Sequence, residues 1–595
     1  MNPRLRNPES AKPELIRSRE SRSAPRLVPA VQCACLIEHA DGTQLIGEVL
    51  DVTPAGVRLR LPVKGELPLQ RGAAVQLTVR WEGRTQPVSG IVAWIAAPLG
   101  GFRELGVDAT GTAAPLSVPT LLDLSLVRID PVWALRVPAQ LAVRRQLLPF
   151  ALVDGEVQVA MANPGDSAGL KAIERLIDHP LKALAAEPES LRMALRKVYG
   201  EHITVVATDP DDPVGIVNEL LDAARLRQAS DIHIDPDRDA LRIRLRVDGQ
   251  LEDYRRLPSA VVPELISRIK ILGGLDIAEK RAPQDGRFTH SYGPSEQVDI
   301  RVATLPTKHG ERASLRLLAM EMEALTLERI GMSPRDLALY HTAIARPHGL
   351  LLTTGPTGSG KTTTLYAALR QIIAERPVNA ISVQDPVEYD IPGVAQVEVD
   401  AAQKVTFAKA LRSILRHDPD VIMIGEIRDG ETADIAIKAA LTGHLVLATL
   451  HTNSAASAIT RLHDMGVDRF LTAATIRLAM AQRLVRRLCP YCRTPQMLTA
   501  DQARGAGRPA LEGSPCFAAR GCVYCAGRGF RGRVGLFGML PLDETWSREI
   551  AQGADETRLE QLIREQRMPT MLDDALGKVR SGVTTIQEAL AAVAI

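Results

Sequence analysis

The stretch LLLTTGPTGSGKTTTLYAALR contains Gly355, Pro356, Thr357, Gly358, Ser359, Gly360, Lys361, Thr362 and Thr363, a G-x-x-x-x-G-K-[ST] pattern. An apolar run at residues 350–352 precedes it, and a helical run with Leu365, Ala368 and Leu369 follows. A glycine-rich turn between strand and helix lets backbone N–H groups converge on phosphate oxygens, and the helix adds its positive end. The pattern predicts a site for ATP, with Lys361 on the β- and γ-phosphates and Thr362 on Mg2+. Phosphoryl transfer to water also needs a group that orients or deprotonates the water. Two later apolar runs end in carboxylates: AISVQDPVEYD offers Asp385 and Glu388, and DVIMIGEIRD delivers Glu426. Strand C-termini line the ligand crevice of an open parallel sheet. Glu426 is therefore the candidate catalytic carboxylate, and Asp385 and Glu388 are expected near the metal and its waters.

His444 and His451 bracket the strand-like run VLATL in ALTGHLVLATLHTNSA. Both are expected near the nucleotide crevice, to sense the γ-phosphate or link to a neighbouring subunit. A plain hydrogen-bonded core histidine is the other reading for each. Cys489-Pro-Tyr-Cys492 and Cys522-Val-Tyr-Cys525 form two CxxC pairs, which suit a closed, tetrahedral, structural Zn2+ site. Cys516, between the pairs, reads as a spare thiol.

These residues need a large scaffold. The chain has 595 residues, enough for several cores. Apolar residues make up 45% and charged residues 24%, as in a soluble globular protein. Aromatics are only 3% and net charge is +2, which argues against a stacking platform or a broad basic face for nucleic acid. The N-terminal residues lack an apolar core, and no apolar run is long enough to span a bilayer. The expectation is a cytoplasmic protein in which any membrane association comes through partners.

Residues 1–25 read as a flexible polar tail. Short β-type runs over 26–110 indicate a small antiparallel barrel or sandwich. Residues 121–200 mix helical patterns with the strands LLPFALVDG and EVQVAMA, as a small α+β domain. A helix, IVNELLDAARLRQ, and alternating strands fill 214–320. From 330 to 595, strands alternate with helices as in an α/β nucleotide-binding core, and this region is taken to include the cysteine element at 489–525.

Together these blocks resemble the secretion ATPase superfamily, specifically the type II secretion and type IV pilus assembly ATPases. The stretches that carry the resemblance are GPTGSGKTTTLY, DPVEY, FAKALRSILRHDPDVIMIGEIRD and ALTGHLVLATLHTN. Upstream, SDIHIDP, RIRLRVDGQL and SRIKILGGLDIAEKRAPQDGR match. Downstream, QRLVRRLCPYC and GFRGRVGLF match. The resemblance implies a multidomain α/β chain. Its parts are a RecA-like P-loop ATPase core, an α+β PAS-like motor subdomain before it, and a small α+β secretion-ATPase N-terminal domain. It further implies a homo-hexamer that works with inner-membrane platform and cytoplasmic-neck proteins, without nucleic acid. Glu426 becomes the Walker B catalytic glutamate. Arg287 and Arg301 best match the family's triphosphate-reaching arginines, ahead of Arg244 and Arg246. Extension-type members commonly carry the tetracysteine element, whereas pilus retraction motors lack it. The family usually has Glu-Asp-Pro where this chain has Gln384-Asp385-Pro386, which puts the turnover rate in question.

The β-rich N-terminal segment resembles a PilZ domain, many of which bind cyclic di-GMP. Arg22 and Arg26 supply RxxxR, and Asp51, Thr53 and Gly56 supply the second element, with Thr where Ser is usual. Arginine forks clasp phosphates and stack on guanine. The leading expectation is an ATPase that powers assembly of a secretion pseudopilus or pilus under cyclic di-GMP control. The alternatives are a pilus retraction motor, a DNA-translocating ATPase, and a nucleotide-binding scaffold with little turnover.

Overall fold

A computed structural model describes residues 34–38, 44–53, 56–62, 69–70, 73–81, 84–95, 102–108, 121–199, 212–293, 296–318, 326–400 and 405–593. The chain divides into two compact units. The first comprises residues 1–207, 489–492 and 521–529, and the second the remainder.

In the first unit, period-two alternation closes a barrel. Val75, Leu77 and Val79 point inward and are buried, with Gln76 and Thr78 between them facing out. The strands are β1 (Ala34–Glu38), β2 (Gln44–Thr53), β3 (Gly56–Pro62), β4 (Ala74–Trp81), β5 (Arg84–Ile95) and β6 (Phe102–Asp108). They pair antiparallel in the closed order β1-β2-β3-β6-β5-β4, so no edge is left open. The barrel alternative of the sequence reading is the one adopted. Arg22 and Arg26 lie outside the described residues. Thr53 of β2 pairs with Gly56 of β3, and Asp51 with Arg58.

The same unit holds a three-stranded sheet of β7 (Leu147–Val153), β8 (Glu156–Met161) and β9 (Leu181–Ala185). Asp154 and Gly155, both at positive φ, make the tight β7–β8 hairpin. The helix Ser167–Glu174 carries the crossover to β9, which runs parallel to β8.

Residues 489–492 and 521–529 cluster with this unit and not with the ATPase core, where the sequence reading placed them. The local reason is a set of close approaches. The Arg128 N–H donates to the Tyr524 carbonyl at 3.2 Å, and a Cβ on Gly527 would lie 2.8 Å from the Leu152 carbonyl oxygen. Spacing along the chain carries no trace of such contacts.

The second unit begins with an antiparallel sheet. Its strands are β10 (Ala229–Pro236), β11 (Ala240–Val247), β12 (Gln250–Pro258), β13 (Gln284–Gly293), β14 (Glu296–Thr307) and β15 (Gly310–Leu317), in the order β12-β11-β10-β15-β14-β13. Along β11, Leu241, Ile243, Leu245 and Val247 are buried, with helices Pro213–Arg227 and Val262–Leu272 contributing to the same core. Arg242, Arg244 and Arg246 line the opposite face.

The remaining strands are β16 (Gly349–Thr354), β17 (Ala380–Gln384), β18 (Val394–Glu398), β19 (Val421–Ile424), β20 (Leu445–Leu450), β21 (Ile476–Leu488), β22 (Thr494–Met497), β23 (Pro515–Ala518) and β24 (Phe530–Pro541). All except β22 and β23 form one sheet, ordered β18-β17-β19-β20-β16-β21-β24, with only β24 antiparallel to its neighbour. Strands β16, β19 and β20 are buried along their whole length, as expected of a parallel sheet covered on both faces. Their C-terminal ends point the same way, so the loops after β16, β17, β19 and β20 meet at one edge.

Candidate active site and metal centre

The loop after β16 is shaped by three glycines at positive φ: Gly355 (152°), Gly358 (78°) and Gly360 (86°). Gly360 is the N-cap of helix Lys361–Glu375. A Cβ on Gly360 would sit 2.9 Å from Gln482 Nε2, so the turn is tight as well as left-handed. Pro356, Thr357 and Gly358 form its exposed tip, whereas Ser359 is buried and its hydroxyl has no hydrogen-bond partner among the described residues. Thr362 and Thr363 are half-buried in the first helical turn. Lys361 is 8% exposed, and its Nζ donates to the carbonyls of Gly355 at 2.7 Å and Pro356 at 3.1 Å. Burial, only partly countered by Glu426, brings its pKa down to about 8. A buried ammonium and a partnerless buried hydroxyl at a helix N-terminus fit a phosphate group.

Glu426 follows β19 and faces His451, which follows β20, with Nε2 and Oε2 3.3 Å apart. Arg428 bridges Glu426 and Asp385, reaching the latter at 3.0 Å. Burial pushes the Glu426 carboxyl up, but Arg428 and then His451 outweigh it and hold it below the ordinary carboxylate range. Burial, and then the Lys361 ammonium, hold His451 below the ordinary imidazole value, so at neutral pH it is the uncharged partner of an ionised Glu426.

His444 is not brought to this cluster. It precedes β20 and bonds locally to the Ala439 carbonyl at 2.9 Å, at the opposite end of the strand from His451. A strand of that length separates the two by about 20 Å, so of the two readings for His444 the hydrogen-bonded one describes its surroundings.

Gln384 ends β17 directly before Asp385, and a Cβ on Gly425, the residue before Glu426, would lie 3.5 Å from the Gln384 Cγ. Gln384 is 2% exposed, donates to Ser382 Oγ at 2.9 Å, and accepts from the Tyr366 hydroxyl. That hydroxyl in turn accepts from the Glu388 N–H at 3.3 Å. Gln384 therefore reaches the backbone at Glu388 through the Tyr366 hydroxyl.

Arg301, on β14, donates to the Val387 carbonyl at 2.8 Å and pairs with Glu388 at 3.3 Å. Arg287 stands directly opposite it on β13, exposed and without an ion pair among the described residues. The register extends the row through Arg316 of β15, Asp231 of β10 and Arg246 of β11. Four arginines thus share one cross-strand row with a single aspartate among them. The sequence reading missed Arg316 and ranked Arg246 low. Only the strand register shows that they lie in line with Arg301.

The sulfurs of Cys489, Cys492, Cys522 and Cys525 all lie within 4.8 Å of one another. The pairs 489–522, 492–525 and 522–525 are 3.8, 3.9 and 3.8 Å apart. Zinc–sulfur bonds of about 2.3 Å in a tetrahedron place sulfurs about 3.8 Å apart. The N–H groups of Gly521, Cys522 and Gly529 point at these sulfurs, a donor set that favours thiolate. Cys516 is not part of the cluster; it lies on β23, buried in the core there.

Residues 208–591 match the family described as "Type II/IV secretion system protein", and residues 116–205 match the MshEN domain. The chain belongs to the type II/IV secretion system protein family. This secretion ATPase is 41% identical over 492 residues to type II secretion system protein E of Pseudomonas aeruginosa, covering 80% of this chain and 97% of that protein. It is 40% identical over 455 residues to the type IV pilus assembly ATPase PilB of Thermus thermophilus, covering 76% of this chain and 50% of that one. Among solved structures, the Legionella pneumophila ATPase DotB aligns with 63% of this chain and 94% of its own, at 23% identity and a TM-score of 0.47. The secretion ATPase hydrolyses ATP, and its family implies Mg2+ as the accompanying metal. No helix among its described residues is long and apolar enough to cross a membrane.

Proposed function

We propose that the 355–362 loop seats the triphosphate of ATP and that Glu426 holds the attacking water, as the motor of a type II secretion pseudopilus or type IV pilus. The observation that carries this reading is the convergence of the loops after β16, β17, β19 and β20. They bring Lys361, Asp385, Glu426 and His451 to one sheet edge. Lys361 turns from the Gly355 and Pro356 carbonyls to the phosphates. Ionised Glu426, oriented by Arg428 and neutral His451, accepts a hydrogen bond from the water. Mg2+, held through Thr362 with Asp385 and Glu388 nearby, supplies charge neutralisation on the phosphates. Arg301 and Arg287, with Arg316 in line, offer guanidinium forks for the charge that develops during transfer.

The tetracysteine cluster takes a structural Zn2+. Its presence and the domains before the ATPase core favour an assembly motor over a retraction motor. The chain works as a homo-hexamer in the cytoplasm, held at the inner membrane by platform and neck proteins. Steady-state ATPase of Glu426→Gln beside wild type tests the reading. The variant should keep ATP binding and lose turnover by about 100-fold or more. Equal turnover in the two proteins sinks Glu426 as the catalytic carboxylate.

The barrel is the proposed cyclic di-GMP module, supported by its closure and by the hairpin that sets Thr53 against Gly56. Calorimetry with cyclic di-GMP should show binding that Arg22→Ala and Arg26→Ala weaken by about tenfold or more. No heat at millimolar ligand makes the barrel a protein contact instead.

A further inference from the structure

Strand β21 runs parallel to β16 and outlasts it. Thr354 pairs with Ala481, and the next two residues, Gln482 and Arg483, continue beneath the phosphate loop. Gln482, 2% exposed, accepts from the Thr364 hydroxyl at 2.8 Å, and its carbonyl oxygen blocks any side chain at Gly355. Arg483 is 5% exposed. Its Nη2 donates to the Asn453 carbonyl at 3.3 Å and to Asn453 Oδ1 at 3.1 Å, and its Nη1 donates to the Gln482 carbonyl at 3.3 Å. Nη1 also lies 3.3 Å from where a Cβ on Gly355 would stand, which places the guanidinium against the start of the loop. Its Nε is buried without a hydrogen-bond partner among the described residues.

The charge balance here is unusual. Buried arginines are normally paired with carboxylates, because an isolated buried charge is costly. Arg483 has no ion pair among the described residues. Arg483 and Asn453 line a cavity together with Glu556 and Glu560, but Glu556 accepts from Ser454 Oγ and Glu560 pairs with Arg564. Lys361 is buried on the other side of Gly355, also bonded only to backbone carbonyls, and its ammonium feels Arg483 as a like charge. Glu426 acts on Lys361 at longer range but is engaged by Arg428 and His451. Two buried cations therefore lie against Gly355, and the one carboxylate that acts on Lys361, Glu426, is already engaged. A polyphosphate in the loop supplies the missing negative charge. A guanidinium keeps its proton where a lysine sheds it, so the charge at Arg483 is permanent.

We propose that Arg483 is a positioning residue of the ATP site, one that braces the Gly355 turn against the Asn453 turn behind His451 and whose charge is balanced only when phosphates fill the loop. The inference rests on the reading of the 355–362 loop as the phosphate seat. It assigns Arg483 two separable effects. Its field favours ligands in proportion to their phosphate charge. Its bonds to Asn453 tie the position of His451, and so of Glu426, to the occupied loop.

The test uses the full-length chain and the variants Arg483→Gln, Arg483→Lys, Asn453→Ala and Lys361→Ala. ATP and AMP affinities are measured by calorimetry, and unfolding midpoints with and without ATP. Arg483→Gln should bind ATP about tenfold or more weakly, with AMP affinity changed about twofold or less. Its midpoint without nucleotide should hold or rise, and the increment produced by ATP should shrink. The alkaline limit of ATP binding, set by Lys361, should move to higher pH once the neighbouring cation is gone. Arg483→Lys should recover only part of the ATP affinity, because a buried lysine beside Lys361 sheds its proton where a guanidinium does not. Asn453→Ala should lower kcat and leave KM near wild type. A purely structural arginine predicts the reverse for Arg483→Gln: a lower midpoint without nucleotide, an unchanged ATP-to-AMP ratio and an unmoved alkaline limit. That result overturns the inference. If Lys361→Ala loses ATP binding while the Arg483 variants behave in that way, the inference about Arg483 alone falls. If Lys361→Ala binds ATP normally, the phosphate-seat reading falls with it.

Discussion

Arg301 and Glu388 are joined across 3.3 Å, a strand of the antiparallel sheet reaching the loop that follows β17 of the ATPase core. The same guanidinium donates to the Val387 carbonyl at 2.8 Å. Any movement of that strand is therefore felt at the loop carrying Asp385 and Glu388. This gives the antiparallel sheet a direct mechanical handle on the site.

Arg301→Ala should lower kcat by about 100-fold or more, within the range seen when an arginine is removed from a phosphoryl-transfer site. KM should change less. Arg301→Lys should not restore the rate, because an ammonium cannot serve the Val387 carbonyl and the Glu388 carboxylate with one planar fork. Single-turnover ATPase measurements separate the chemical step from product release. A lysine variant with wild-type kcat would show that charge alone is needed there.

Lys361 sets an alkaline limit on nucleotide binding. Its pKa is depressed from 10.5 to about 8 in the folded protein without nucleotide. Between those values the unfolded chain binds the extra proton, so the residue's contribution to stability rises as pH increases through this window. ATP binding needs the ammonium and should run the other way, weakening as pH passes about 8. Affinity titrations from pH 7 to 10 check the sign, with Lys361→Arg as the reference that stays charged. A flat profile in the wild type would mean that the lysine is not the titrating group.

Metal analysis should find about one zinc per chain. Cys489→Ser or Cys525→Ser should release it. The segment 521–529 belongs to the compact unit that contains residues 121–199, with Tyr524 accepting from the Arg128 N–H and its ring stacked on Tyr491 at 3.9 Å. Loss of the metal should therefore expose residues 121–199 to limited proteolysis before the ATPase core is cut. Proteolysis beginning in the core would show that the knuckle does not support that domain.

Several features could be read directly along the chain. The 355–362 loop, its flanking strand and helix, and the paired cysteines depend on residues close in sequence. Their conformations follow from glycine dihedrals, apolar periodicity and short ligand spacings, all of them local. The alternation of LRIRLRVDG likewise marked it as a strand, and β11 is the strand it forms.

Tertiary structure decided the rest. The alignment of Arg287, Arg301, Arg316 and Arg246 depends on strand register, where a slip of one residue would turn each side chain to the other face. His451 joins Glu426 while His444 does not, because a strand separates its two ends by its own length. Arg483 looked like one more basic residue in QRLVRRL until β21 was found to outrun β16 and bury it behind Gly355. Local sequence sets what each residue can do chemically. Non-local pairing, whose free energy comes from burial across distant segments, decides which of those residues act on one another.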